Sequence, residues 1–229
     1  MPGTLPPGVA ATGARDERLN GGLPFGAPLS AAIAARLDNF TPHILSPEEL
    51  RRAAVVIAIV AGVHGEAACL LTRRPVTIKR HAGQFALPGG RVDPDECEAD
   101  AALRELHEEL GLAPGPDAIL GTLDDYATQS GFRIRPFVAW VEDETTLAPD
   151  PREVARIHRI PLAELASPAV PTLQAVSHSE QPTICLHLPS IGGTLHAPTG
   201  AILYQFREVA LAGRHTRVGH FAQPRFSWQ

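Results

Sequence analysis

The chain has 229 residues and a formal net charge of −5, which is enough length for a buried core and no basic surplus to hold nucleic acid or an anionic membrane. Its three cysteines, Cys69, Cys97 and Cys185, are odd in number and widely spaced, which argues against a disulfide framework or a thiolate zinc site. No apolar run approaches the roughly 18 residues of a spanning helix, and the start has no continuous apolar leader, so a cytoplasmic protein without membrane or nucleic-acid partners is expected.

Glycine and proline punctuate residues 1–28, which read as a flexible N-terminal arm. A main domain is expected over 29–213, and residues 214–229 form a tail that no pattern assigns. "PLSAAIAARLDNF" has Ser30 in an N-cap position and apolar residues at helical spacing. "SPEELRRAA", from Ser46, resembles a capping box and predicts a second helix. The β-branched run Ala53–Gly62 predicts a buried strand. Further strands are expected at "AACLLTRR", "FALPGG", "AILGTLDDYAT", "IRPFVAWVE", "EVARIHRIPL" and "PTICLHLPS". A charged helix is predicted from Asp93 to Leu110 with Gly111 as its stop, a short one at "PLAELA", and an amphipathic one at "PTGAILYQFREVALAG" ending at Gly213. Strands mixed with helices, with no linker in the middle, imply one α/β domain.

The charged helix carries the chemistry. Residues three and four apart share a helix face, so Glu105, Glu108 and Glu109 are neighbours whose like charges repel. Nearby arginine, solvent or a divalent cation can relieve that repulsion, and hard cations take carboxylate oxygens. Around the three lie Gly89-Gly90 at a strand end, Glu96 near the helix start, Arg104 one turn before Glu108, and Gly111-Leu112.

This spacing, from Gly90 to Leu112, matches every fixed position of the 23-residue box of the Nudix hydrolases, which the sequence therefore resembles. The resemblance implies an α/β/α sandwich with a mixed β-sheet between helices, and Mg²⁺- or Mn²⁺-dependent attack of water on a nucleoside diphosphate linkage. Carried over to this chain, Glu105, Glu108 and Glu109 would be metal ligands, completed by the carbonyl of Gly89 or Gly90. One glutamate would be the general base and Arg104 would orient Glu105. Glu96 and Gly111 belong to the motif. Dimers are common in the family, so a homodimer joined by the arm is open.

Upstream, "LLTRRPVTIKRHAGQFALPGG" resembles the signature of the coenzyme A diphosphatase branch at Leu70-Leu71-Thr72, Arg74, Gly83 and Pro88-Gly89-Gly90. It departs at Pro75, Lys79 and Leu87, where lysine for arginine keeps charge but loses the bidentate fork. Arg74, Lys79, Arg80, His81, Gly83 and Gln84 are the expected substrate-binding set, against solvated loop charges as the plainer reading. The departures leave ADP-ribose, NADH or another nucleotide as alternative substrates, and a non-catalytic nucleotide sensor as an alternative of another class. No phosphate-binding G-x-x-x-x-G-K-[ST] occurs, and His215 and His220 lack zinc spacing. Phe137, Trp140 and Tyr204 are expected in the core, Cys97 on the helix surface or in packing, and the acidic segment 142–153 in solvent as a loop, with a further metal ligand as the lesser reading.

Overall fold

Strand β1 (Arg51–Ala61) buries both of its faces, because side chains alternate along a strand and each set meets a different layer of helices. Ala54, Val56, Ala58 and Val60 pack under one helix, whereas Ile57 and Ile59 join the larger cluster on the opposite side. The computed structural model describes residues 22–46, 50–77, 82–177 and 179–224. Within them, β1 pairs in parallel with β7 (Phe132–Trp140) along one edge. Its other edge carries β2 (Ala67–Arg73) at Ile59–Ala61 and the short β4 (Gly89–Arg91) at Ala53–Val55, both antiparallel. Beyond these lie β3 (Phe85–Ala86) and β8 (Arg156–Pro161) against β2, and β5 (Ile119–Thr122) and β6 (Tyr126–Ala127) against β7.

Helix α2 (Glu98–Leu110) covers one face with Ala101, Ala102, Leu106 and Leu110. Helix α1 (Ala27–Asp38), the single turn α3 (Leu162–Leu165) and α4 (Thr199–Phe206) supply Ile33, Leu37, Leu162, Leu165, Ile202, Leu203 and Phe206 to the other. The result is the expected α/β/α sandwich around a mixed sheet. No helix among the described residues is long and apolar enough to cross a membrane.

Several expectations are corrected. The charged helix begins at Glu98, not Asp93, because Asp93-Pro94 opens a turn closed by the Glu96 N–H on the Asp93 carbonyl. Cys97 is exposed, as expected, and is also the helix's N-cap, its Sγ accepting the Asp100 N–H at 3.4 Å. The helix expected from "SPEELRRAA" gives way to β1, which already contains Arg51, Arg52 and Ala53; residues 47–49 lie outside the described set. Sheet pairing on both edges outweighs the local capping signal. Helix α1 starts three residues before Ser30, with Pro28 in its first turn. The last helix continues past Phe206 as a π-turn, Arg207–Leu211. Strands β9 (Thr172–Gln174) and β11 (Gly193–His196) were not foreseen; they flank β10 (Thr183–Leu188) in a second, three-stranded sheet.

Both ends of the described chain are fastened to the domain. Residues 22–28, read as the end of the arm, pack through Phe25 stacked on Trp140 at 4.3 Å and through the Leu23 carbonyl on the Ala67 N–H. The tail is packed as far as it is described. Val218 and Phe221 are buried, Tyr126 donates to the Phe221 carbonyl, Gln223 bridges Gln129 and Ala127, and Arg217 pairs with Asp124.

Candidate functional site

The carboxylates of α2 sit in graded environments set by helix periodicity. Glu108 is exposed, Glu105 is half-buried and Glu109 is buried against the sheet. Arg104 is the hub of the cluster. Its Nε and Nη2 donate to Glu96 at 2.9 and 3.1 Å, and its Nη1 donates to Glu105 and Glu108 at 3.0 Å each. A further bond to the Arg91 carbonyl ties the cluster to β4. The bond from Arg104 holds the Glu96 carboxyl below the usual carboxylate range. Burial pushes Glu105 up, against the pull of Arg104.

Glu109 is the most perturbed. Burial, then the neighbouring Glu105, raise its carboxyl to about 8, while Arg74 and the Gly89 N–H pull the other way. Its Oε2 is buried without a hydrogen-bond partner. Glu153 adds a like charge felt by both Glu105 and Glu109, so the acidic segment 142–153 contributes to this site and is not merely solvated. That segment is docked by the Ala148 and Asp150 N–H groups on the carbonyls of Leu110 and Glu109.

Glycines let the sheet approach the carboxylates. Gly89 adopts φ 150° and a Cβ there would run into the β1 backbone; a Cβ at Gly90 would overlap the Glu105 carboxylate. Gly90→Ala is therefore expected to displace Glu105 and to lower the rate of whatever this site catalyses by about tenfold or more, with a smaller loss of stability. Comparing initial rates with melting temperature checks this; an alanine variant with unaltered rate would show that the contact is dispensable.

A buried oxygen without a partner, three carboxylates with pushed-up or crowded charge, and bare backbone beside them suit a hard divalent cation with oxygen ligands. Among the described residues no three His, Cys, Asp or Glu groups are gathered closely enough to hold an ion as they stand. Arg104 pairs with both Glu105 and Glu108 and acts as their counter-cation.

On the other face of the same bare strand lies a cavity of about 390 Å³. Ala53 and Val55 of β1, Phe85 and Leu87, Phe132 and Ile134 of β7, and Ile202 of α4 give it apolar walls; Arg74, Gln84, Arg91, Thr128 and Ser130 give it polar ones. A smaller cavity of about 110 Å³ adjoins it, sharing Gln84, Phe85, Pro198 and Thr199. Of the expected substrate-binding set, Arg74 and Gln84 line the main cavity, and Arg74 Nε is buried without a hydrogen-bond partner. Gly83 instead shapes the turn, with φ 67°, and its carbonyl accepts from Arg73. Lys79, Arg80 and His81 lie outside the described residues. Arg91, Thr128, Ser130, Phe132 and Ile202 were missed. Their signal is topological, since β4, β1 and β7 are adjacent only after the sheet forms.

A Nudix hydrolase from Pectobacterium atrosepticum, described as uncharacterized and called NudL, is 36% identical over 124 residues, covering 54% of this chain and 64% of its own. A protein of the same description from Yersinia enterocolitica is 42% identical over 113 residues, covering 49% of this chain and 57% of its own. The chain thus spans less than two thirds of the length of these curated relatives. The crystal structure of a MutT protein from Methanosarcina mazei Go1 overlaps 52% of this chain and 83% of that one at 25% identity, with a TM-score of 0.40. The NUDIX domain profile matches residues 50–179, more than half of the chain and all of β1 to β9, and the chain belongs to the Nudix family.

Proposed function

We propose that this protein hydrolyses the diphosphate linkage of coenzyme A, in its free, disulfide or acylated forms, to 4′-phosphopantetheine and adenosine 3′,5′-bisphosphate in a divalent-cation-dependent reaction. Water adds across the P–O–P bridge: its hydroxyl bonds to one phosphorus, and its proton goes to the phosphate that leaves. Mg²⁺ or Mn²⁺, when bound, would neutralise diphosphate charge and acidify the attacking water. Glu105, Glu108 and Glu109, with the Gly89 or Gly90 carbonyl, would hold it. Arg104 sets the direction of the Glu105 and Glu108 carboxylates, and Arg74 offers an unpaired N–H to a phosphate at the cavity wall.

The observation that carries this reading is the placement of the cavity. Gly89 and Gly90 line it, and the same two glycines lie against β1 and the Glu105 carboxylate, which supports a diphosphate bound close to the carboxylates. Its volume falls in the range of about 300–1,000 Å³ usual for small-molecule sites. The residues resembling the coenzyme A signature, Leu70 to Thr72, Arg74 and Gly83, lie on the strand and turn beside it.

Leu87 favours a second reading. It is buried and lines the cavity where the coenzyme A signature has phenylalanine, so the same chemistry on ADP-ribose, NADH or another nucleotide remains the alternative. Chromatographic product analysis decides between them. The protein is incubated with Mg²⁺ and separately Mn²⁺ against coenzyme A, its disulfide, acetyl-coenzyme A, ADP-ribose, NADH and 8-oxo-dGTP. Adenosine 3′,5′-bisphosphate from the first three is the expected result; products from the last three alone would refute the coenzyme A reading.

A further inference from the structure

Charge around the cavity is unevenly neutralised. Arg52 pairs with Glu98, Arg104 with three glutamates, and Arg133 and Arg135 with Asp125 and Glu98. Arg51 and Arg91 have no carboxylate partner among the described residues, in a chain whose net charge is negative. Yet these two are brought together by the sheet. Arg91 on β4 is opposite Ala53 of β1, and Arg51 on β1 is opposite Phe132 of β7. By strand alternation all three side chains project from the cavity face, the face of Ala53 and Val55.

Both guanidinium groups lie against the Phe132 ring, Arg51 at 3.9 Å and Arg91 at 5.5 Å from its centroid. Stacking uses the face of a guanidinium and leaves its N–H edge available. Two cations on one ring repel each other, so an anion between or beside them is favoured. Hydroxyl donors stand next to them. Thr128 and Ser130 line the cavity with their side-chain oxygens 3.0 Å apart, and the Ser130 carbonyl holds Arg51 Nη2 at 2.7 Å.

We propose that Arg91 and Arg51, with Thr128 and Ser130, form a subsite for a second phosphate of the substrate, a monoester on the ribose, distinct from the diphosphate that is cut. The proposal rests on the nucleotide reading above and adds to it the determinant that separates nucleotides with a ribose phosphate from those without one. A phosphate dianion suits two arginines and two hydroxyls better than a neutral ribose does.

The test uses the full chain and two probes, adenosine 3′,5′-bisphosphate and adenosine 5′-monophosphate, with binding measured by calorimetry. The bisphosphate is expected to bind about tenfold to a hundredfold more tightly, the range of charge-assisted hydrogen bonds. Arg91→Gln and Arg51→Gln should each shrink that ratio by about tenfold, while Arg91→Lys retains part of it. Equal affinities in the unaltered chain, or a ratio that survives both substitutions, would overturn the subsite. Melting temperatures of the variants identify any that fail to fold, and Arg91→Lys then carries the comparison. Hydrolysis of coenzyme A against its 3′-dephospho form separates the two claims. A chain that prefers the bisphosphate but spares coenzyme A loses the proposed function and keeps the subsite. A chain that cuts both forms equally, with the same loss in each variant, keeps the function and loses the subsite.

Discussion

Glu109→Gln is expected to abolish most turnover and, in metal-free protein, to raise the melting temperature. The two effects have one cause. Glu109 is buried, faces Glu105 and Glu153, and leaves Oε2 without a partner, so its charge is costly until a cation arrives. Its folded value of about 8 lies above the ordinary 4.5, which means that folding favours the neutral form. That contribution to stability is complete below about pH 4.5 and is lost as pH rises through 8. The amide is neutral throughout. Metal-free Glu109→Gln should therefore melt above the unaltered chain near pH 9, with the gap closing toward pH 5. In the presence of cation the order should narrow or reverse, because the carboxylate gains a partner that the amide lacks. For the rate, a lost catalytic carboxylate costs about 10²–10⁴-fold. Glu108→Gln should lower kcat similarly but leave the melting profile flat, since Glu108 is exposed. An active Glu109→Gln protein, or one that melts lower at pH 9 without cation, would contradict the assignment. An unaltered chain that shows no metal-dependent turnover with any diphosphate would instead point to a nucleotide sensor.

The second large effect lies away from the carboxylate helix. Asp125→Ala is expected to cost about 3–5 kcal/mol, the usual consequence of removing one member of a buried ion pair. The Asp125 side chain is wholly buried and accepts from Arg133, from Arg135 twice, and from the Leu45 N–H. Arg133 is 4% exposed, so its charge has nowhere to go when the carboxylate is removed. For a domain of this size the loss corresponds to about 10 °C or more in melting temperature. The same two arginines hold Glu98 at the first turn of α2, at 2.6 Å for Arg133, and Arg52 reaches it as well. Activity should accordingly fall below the melting range, as the helix that carries the carboxylates loses its anchor. Circular dichroism melts and rates at a temperature where the variant is folded check both halves. A melt within a degree or two of the unaltered chain would mean that solvent or relaxation replaces Asp125.

The carboxylate helix was legible because its spacing is local: one helix face carries the ligands and glycines mark both ends. Strand β1 was legible for the same reason, through a run of β-branched residues. The second sheet was not. "TLQ" at Thr172–Gln174 is exposed and only three residues long, and only its partner across the ladder makes it a strand. Arg133 and Arg135 alternate in sequence like a solvated strand face, and nothing local says that Asp125 and Glu98 will meet them. The false helix at "SPEELRRAA" has the converse origin, a strong local signal overruled by pairing with β7 and β4. The cavity wall was invisible until strands far apart in sequence became neighbours.

The parallel pairing of β1 with β7 joins Arg51 to Phe132 and Ile59 to Trp140, so the central strand closes only when the chain has been made through residue 140. During synthesis the acidic helix emerges first, and the arginines of β7 that fix its beginning emerge later. Loop closure over some eighty residues must precede the contacts that reward it. For that interval Ala54, Val56 and Leu106 have no finished sheet to cover them. As a cluster of like charge on a nascent amphipathic helix, Glu105, Glu108 and Glu109 are expected to favour water and to disfavour association with like chains until the sheet arrives.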